Sequence, residues 1–140
     1  MKECGGRADV GLVPPMRRRR TMAEAVLTTR LETVDGIQVV RVSGPLDSLT
    51  HESFKTFLEP LVNQSGVRVV LDCTDLTYVN SKGMALLGRC QRISMQNMSF
   101  LGIAALNKRI KKTMELLGIA RLVKLYETVE EAMEAAARLG

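Results

Sequence analysis

The stretch that decides the fold is Tyr78-Val79-Asn80-Ser81-Lys82-Gly83-Met84. It stands where an apolar strand, residues 67–72, gives way to an amphipathic helix. The first N–H groups of a helix have no partner inside the helix, and the helix dipole is positive at that end. A small polar turn with a glycine at such a place is typical of a contact or anion site. No catalytic set of side chains accompanies it, so we interpret the turn as a place for binding or modification.

The sequence on either side of this turn predicts alternating strands and helices. The predicted strands are residues 26–32, 37–43, 67–72, 100–105 and 122–126. The first two flank Asp35-Gly36, which is a hairpin signal, and helical periodicity separates the others. The order β-β-α-β-α-β-α-β-α predicts a single α/β domain with a mixed, mostly parallel sheet and crossover helices.

Several helix ends are also marked in the sequence. Pro60 is expected to kink the first helix or to end it near Glu59, because proline removes a backbone donor. Asn80 and Ser81 are both strong cap residues for the second helix, so the turn that contains them could be only a helix cap. Asn107 is a good N-cap for the third helix, and Gly118 is placed to end it. Thr128 begins the last helix with a glutamate three residues later, which is the pattern of a capping box.

The formal net charge of +5 belongs mainly to the N-terminal segment. Residues 1–21 hold six basic and two acidic residues, which leaves a charge of +1 on the remainder. We predict a disordered basic tail over residues 1–21 and one domain over residues 22–140. Because that domain is nearly neutral and poor in aromatic residues, we expect no direct binding of nucleic acid.

Other features of the composition narrow the class of protein. The three cysteines form no C-x-x-C motif, which is typical of a reducing compartment and indicates neither a disulfide framework nor a zinc site. No apolar run approaches the roughly 18 residues that a membrane span needs. His51 is the only histidine and has no nucleophile motif with it. We therefore expect a cytoplasmic protein that is not an enzyme and holds no metal or cofactor.

Residues 70–84 resemble the signature of STAS domains, the anti-sigma-factor antagonist family. The run reads Val-Leu-Asp-Cys-Thr-Asp-Leu-Thr-Tyr-Val-Asn-Ser-Lys-Gly-Met. The family pattern is an apolar strand, an Asp, a short loop, an aromatic or apolar pair, then Asp-Ser-Ser/Thr-Gly and a helix. Upstream, the Gly-Pro-Leu-Asp of residues 44–47 is similar to the family's Gly-x-Leu-Asp. The resemblance extends from about Ala25 to Leu139.

The resemblance implies a partner-switching protein that regulates transcription. Family antagonists bind an anti-sigma factor, which is a kinase-type ATPase, and so release the sigma factor. The kinase then phosphorylates the Ser or Thr before the Gly, and the added charge of about −1.5 to −2 breaks the complex. A monomer or weak homodimer is expected. The implied partner-binding residues are Asp47, Asn80, Ser81, Lys82, Gly83 and Met84.

Lys82 departs from the family pattern, because it occupies the position of the phosphorylated Ser or Thr. Ser81 matches the preceding Ser, and Asn80 replaces the usual Asp. Ser81 is therefore phosphorylated instead, or the chain is an unregulated antagonist, or it is a STAS domain with another task. We favour the last two. The other tasks are an accessory subunit of an ABC-type lipid transporter and a scaffold subunit of a stressosome-like assembly.

Two further groups of residues have open interpretations. Asp47 is either a turn or helix-start residue, or a polar partner that orients Ser81 or pairs with Lys82. Four cations surround the start of the third helix, and they form either a solvated face or a docking patch for an acidic partner. These cations are Lys108, Arg109, Lys111 and Lys112.

Overall fold

The computed structural model describes residues 26–138, which fold around one five-stranded sheet. Its strands are β1 (Thr28–Val34), β2 (Ile37–Leu46), β3 (Arg68–Val79), β4 (Phe100–Ala104) and β5 (Leu125–Tyr126). Its helices are α1 (His51–Val62), α2 (Ser81–Gln96), α3 (Lys108–Leu116) and α4 (Val129–Arg138). This order confirms the predicted alternation of strands and helices. The predicted basic tail, residues 1–21, lies outside the described residues.

The sheet is mixed and mostly parallel, as the sequence predicts. The strands are arranged in the order β1-β2-β3-β4-β5, and only β1 runs antiparallel to its neighbour. The turn between β1 and β2 contains Asp35 and Gly36, whose φ angles are 52° and 79°. Two successive residues with positive φ are what a two-residue type I′ hairpin turn requires.

Helices cover both faces of the sheet. On one face α1, α2 and α3 pack over strand residues such as Val40, Leu71 and Ile103. On the other face the small side chains of α4, including Ala132 and Ala136, pack against β2, β3 and β4. Burial on both faces explains why the central strands have nearly continuous apolar sequences rather than an alternating pattern.

The third strand is longer than the sequence predicts. It does not end at residue 72 but continues through Val79 to the turn that precedes α2. Its register against β2 shifts twice, between Arg41 and Ser43 and between Gly44 and Pro45, with one extra residue on β3 each time. Such β-bulges break the two-residue alternation of buried and exposed side chains, so this half of the strand looks like a loop in the sequence.

Two other boundaries differ from those that the sequence predicts. The first helix does not end near Glu59 but continues through Pro60 to Val62. The last strand contains only Leu125–Tyr126, and a 3₁₀ turn occupies Ile119–Arg121. Pro60 is tolerated in α1 because the packing of Val62, which is fully buried, outweighs the low helix propensity of proline.

Candidate docking site

Asn80 joins the end of β3 to the start of α2. Its side-chain Oδ1 accepts a hydrogen bond from the Gly83 N–H at 3.0 Å, which caps the helix. Its side-chain Nδ2 donates to the Ser48 hydroxyl at 3.1 Å, and its backbone N–H donates to the Leu46 carbonyl at 3.1 Å. One residue therefore holds the strand, the helix and the β2–α1 loop in a fixed relation.

Gly83 allows α2 to approach β2 closely. A Cβ atom built on Gly83 would lie 2.8 Å from Leu46 Cγ, 2.8 Å from Val79 Cγ1 and 2.9 Å from the Leu46 carbonyl oxygen. The next residue, Met84, is also buried, with 2% of its surface exposed. Of the predicted binding residues, Gly83 and Met84 are therefore buried beneath the turn, and neither presents a side chain to a partner in this structure.

Asp47 organises the loop between β2 and α1. Its Oδ1 accepts from the Leu49 N–H at 2.9 Å and from the Thr50 N–H at 3.2 Å, and its carbonyl accepts from the His51 N–H at 2.9 Å. These are the bonds of a turn residue that leads into a helix. Among residues 26–138 no ion pair links Asp47 to Lys82.

Around this scaffold lies a patch of exposed side chains, which we call the junction surface. It combines hydroxyl groups, a cation and two large apolar side chains, and Leu49 and Tyr78 are 72% and 53% exposed. Its members are Ser48, Leu49, Tyr78, Ser81 and Lys82. The structure thus brings Ser81 and Lys82 together with residues from the β2–α1 loop that are distant in sequence.

The sequence alone does not identify Ser48 or Leu49 as site residues, and it includes Tyr78 in the decisive stretch without assigning it to the binding residues. Leu49 is one apolar residue in a polar loop, and only the hydrogen bond from Asn80 to Ser48 shows that this loop touches the turn. Tyr78 is exposed because the extra residue Thr77 shifts the strand register before it. The only signal for Tyr78 in the sequence is that an aromatic residue stands next to a polar turn.

A shallow groove with a volume of about 390 Å³ continues from Lys82 between α1 and α2. It is lined by His51, Glu52, Lys55, Lys82, Ala85, Leu86 and Arg89. Arg89 is paired with Glu59, its Nε atom lying 2.5 Å from Oε2, and this bond raises the pKa of the arginine. Because Glu59 neutralises Arg89, the remaining charged residues of the groove are two lysines, Lys55 and Lys82, and one carboxylate, Glu52. The groove therefore favours contact with an acidic group of a partner.

Cys73 and Cys90 are both buried and free of disulfide bonds. Burial raises the pKa of the Cys73 thiol to about 12, with a smaller contribution from the Asp72 charge. Burial also raises the pKa of the Cys90 thiol to about 12. Both thiols are therefore protonated near neutral pH and poor nucleophiles. Within residues 26–138 there is no cluster of three metal-ligating side chains and no helix long and apolar enough to cross a membrane.

The basic residues near the start of α3 do not form part of the junction surface. Lys111 is hydrogen-bonded to Glu127, which lowers the pKa of that carboxyl group. Lys108, Arg109 and Lys112 are exposed, so the structure leaves their role as a solvated face or a docking patch open.

Comparison with known proteins relates the chain to one family. The family model described as STAS domain matches residues 28–132. The anti-sigma-F factor antagonist RsfB of Mycobacterium tuberculosis is 20% identical over 107 residues, which cover 76% of this chain and 87% of that protein. An anti-sigma factor antagonist from Mycobacterium paratuberculosis has a similar structure, with a TM-score of 0.72 and 25% identity over 79% of this chain and 94% of that one. An anti-sigma-factor antagonist (STAS) domain protein from Planctomyces limnophilus shares the fold, with a TM-score of 0.67 and 14% identity over 78% of this chain and 97% of that one.

Replacement of Gly83 by alanine tests whether close packing of α2 on β2 holds the site. The added methyl group has no room, so Gly83→Ala should lower the free energy of unfolding by about 1–3 kcal/mol. Gly88→Ala in the same helix is the matched control, because nothing lies within 4 Å of its Cβ position. That variant should be more stable than the wild type by up to about 1 kcal/mol, since alanine favours a helix. Urea unfolding measures both, and equal stability of the two variants would contradict the packing argument.

Proposed function

Because the chain belongs to the STAS domain family, we propose that it is an anti-sigma-factor antagonist. Its partner in this proposal is an anti-sigma factor of the kinase-type ATPase class, and binding releases the sigma factor for transcription. The observation that carries the proposal is the junction surface, where Ser81 and Lys82 are exposed on a turn that Asn80 and Gly83 hold rigid. The names of the relatives support it.

The composition of the junction surface suits the binding of a protein. Exposed tyrosine and leucine side chains supply apolar area, and tyrosine is enriched at protein–protein interfaces. Lys82 stands at the start of α2, where a cation opposes the positive end of the helix dipole. An acidic group of the partner compensates this unfavourable position. Since the backbone beneath is hydrogen-bonded to β2 and its loop, little conformational entropy is lost on binding.

Lys82 also bears on regulation, because it leaves no hydroxyl group directly before Gly83. Ser81 is exposed and is the first residue of α2. A phosphate on Ser81 would lie at the positive end of the helix dipole and next to Lys82 in the sequence. The dipole and the lysine would partly neutralise the phosphate, so its negative charge would repel a partner less. We therefore propose that the chain binds its partner constitutively and is not released by phosphorylation.

Reversal of the charge at Lys82 tests the docking surface. The tagged full-length chain is used to capture its partner from cells of the source organism, and the purified partner is then titrated calorimetrically. Lys82→Glu should weaken binding at least about tenfold, because a carboxylate replaces the only cation of the junction surface. Lys112→Glu makes the same charge change on the exposed side of α3 and should leave the affinity unchanged.

Two results would refute this proposal. One is a captured partner that is not an anti-sigma ATPase, such as the ATPase of a lipid transporter. The other is a loss of affinity that is equal in Lys82→Glu and Lys112→Glu, since only the net charge of the chain would then matter.

Restoration of the family hydroxyl tests the regulatory part of the proposal. Purified wild-type chain, Lys82→Ser and the Lys82→Ser/Ser81→Ala double variant are each incubated with the partner ATPase and radiolabelled ATP. The wild type should take up no phosphate, whereas both variants should be labelled at position 82. Labelled wild type would show that Ser81 is used instead. Absence of label in every protein would count against a kinase partner.

A further inference from the structure

The outer edge of β1 is a surface that the proposed function does not use. The sheet order places β1 at the end of the sheet, with β2 as its only neighbour within residues 26–138. Leu31 and Val34 are large apolar residues on this strand, and they are 46% and 39% exposed. Edge strands with free N–H and C=O groups are templates for pairing with another strand.

The register of the hairpin shows which backbone groups point outward. Val34 and Ile37 flank the two-residue turn, so this pair exchanges both of its hydrogen bonds. Because hydrogen-bonded pairs alternate along an antiparallel ladder, Arg30 and Glu32 also bond to β2. Thr29, Leu31 and Thr33 therefore direct their N–H and C=O groups away from β2, toward the free edge.

Among residues 26–138, the charges on β1 are not balanced by other side chains of the same copy. Arg30 lies directly opposite Arg41 in the register, and like charges at opposite positions are unfavourable. Arg41 is compensated by Asp72, with 3.4 Å between its Nε atom and Oδ2 of the aspartate. Neither Arg30 nor Glu32 takes part in an ion pair with another described residue. Both lie on the α4 side of the sheet, at a small cavity of about 90 Å³.

We infer that β1 pairs antiparallel with β1 of a second copy of this chain, centred on Leu31. In this register Leu31 forms a hydrogen-bonded pair with Leu31 of the second copy, and Thr29 lies opposite Thr33 of the second copy. The N–H and C=O groups that point away from β2 in one copy therefore bond to the corresponding groups of the other copy. The register also sets Arg30 opposite Glu32 of the second copy, and this ion pair occurs twice because the contact has two-fold symmetry. Arg30 and Glu32 stand at the non-hydrogen-bonded positions, where opposite side chains are closest.

The resulting dimer has one continuous ten-stranded sheet. The interface is a single strand from each copy, which is small for a protein–protein contact, so association is weak and depends on concentration. The junction surface remains exposed, since it lies on the β2–α1 loop, the end of β3 and the start of α2 rather than on β1. The inference is therefore independent of the proposed function.

Charge reversal at Arg30 and Glu32 tests this register. Sedimentation velocity of the full-length chain over a range of concentrations gives the dimer dissociation constant. Arg30→Glu and Glu32→Arg should each raise it at least about tenfold, because each places like charges opposite one another twice. The double variant Arg30→Glu/Glu32→Arg should associate like the wild type, and an equimolar mixture of the two single variants should form a heterodimer.

The controls separate pairing from folding and from net charge. Arg30→Glu replaces the repulsion with Arg41 by an attraction, so its fold is not weakened by the change. Arg121→Glu makes the same charge change at an exposed position in the 3₁₀ turn and should leave the dissociation constant unchanged.

Three results would overturn the inference. The first is a wild-type chain that stays monomeric at millimolar concentration. The second is a dimer that neither single variant weakens, which would place the contact on another surface. The third is single variants that dissociate while the double variant and the mixture fail to restore association, which would exclude this register.

Discussion

The close contact between Gly83 on α2 and Leu46 at the end of β2 is the constraint on which the site depends. It brings the helix against the sheet so closely that a methyl group would collide with Leu46 and Val79. Asn80 then caps the helix and binds the β2–α1 loop through Ser48. Segments that are about thirty residues apart in sequence thereby form one surface whose backbone is held by hydrogen bonds.

The turn that resembles the family signature contains two kinds of residue: Gly83 and Met84 are buried, and the half-buried Asn80 is hydrogen-bonded to the scaffold. Those that build the turn face the protein, whereas Ser81 and Lys82 face the solvent. A substitution among the first kind acts on stability and affects binding only through the shape of the site. Lys82 belongs to the second kind, so the residue at this position can change without disturbing the fold beneath it.

The order of the elements, the hairpin at Asp35-Gly36 and the N-caps at Asn80 and Asn107 could be predicted from the sequence, because each depends on local chemistry. The full length of β3 could not, since two bulges against β2 interrupt its alternation and their cause is the pairing with another strand. The same bulges set the exposure of Tyr78, whereas Leu49 lies in a polar loop that gives no sign of its position beside the turn. The sequence leaves Asp47 open between a turn residue and a partner of Ser81 or Lys82, and in the structure its side chain bonds to its own loop. Local patterns specify elements, whereas the members of a surface are selected by tertiary packing.

Hydrogen–deuterium exchange of the chain, alone and in complex with the anti-sigma ATPase that we propose as its partner, tests the central claim most directly. If the junction surface is the docking site, exchange should slow in residues 47–50 and 80–86 and stay unchanged in α3. Protection confined to α3 or to β1, with none at the end of β3 and the start of α2, would contradict the account.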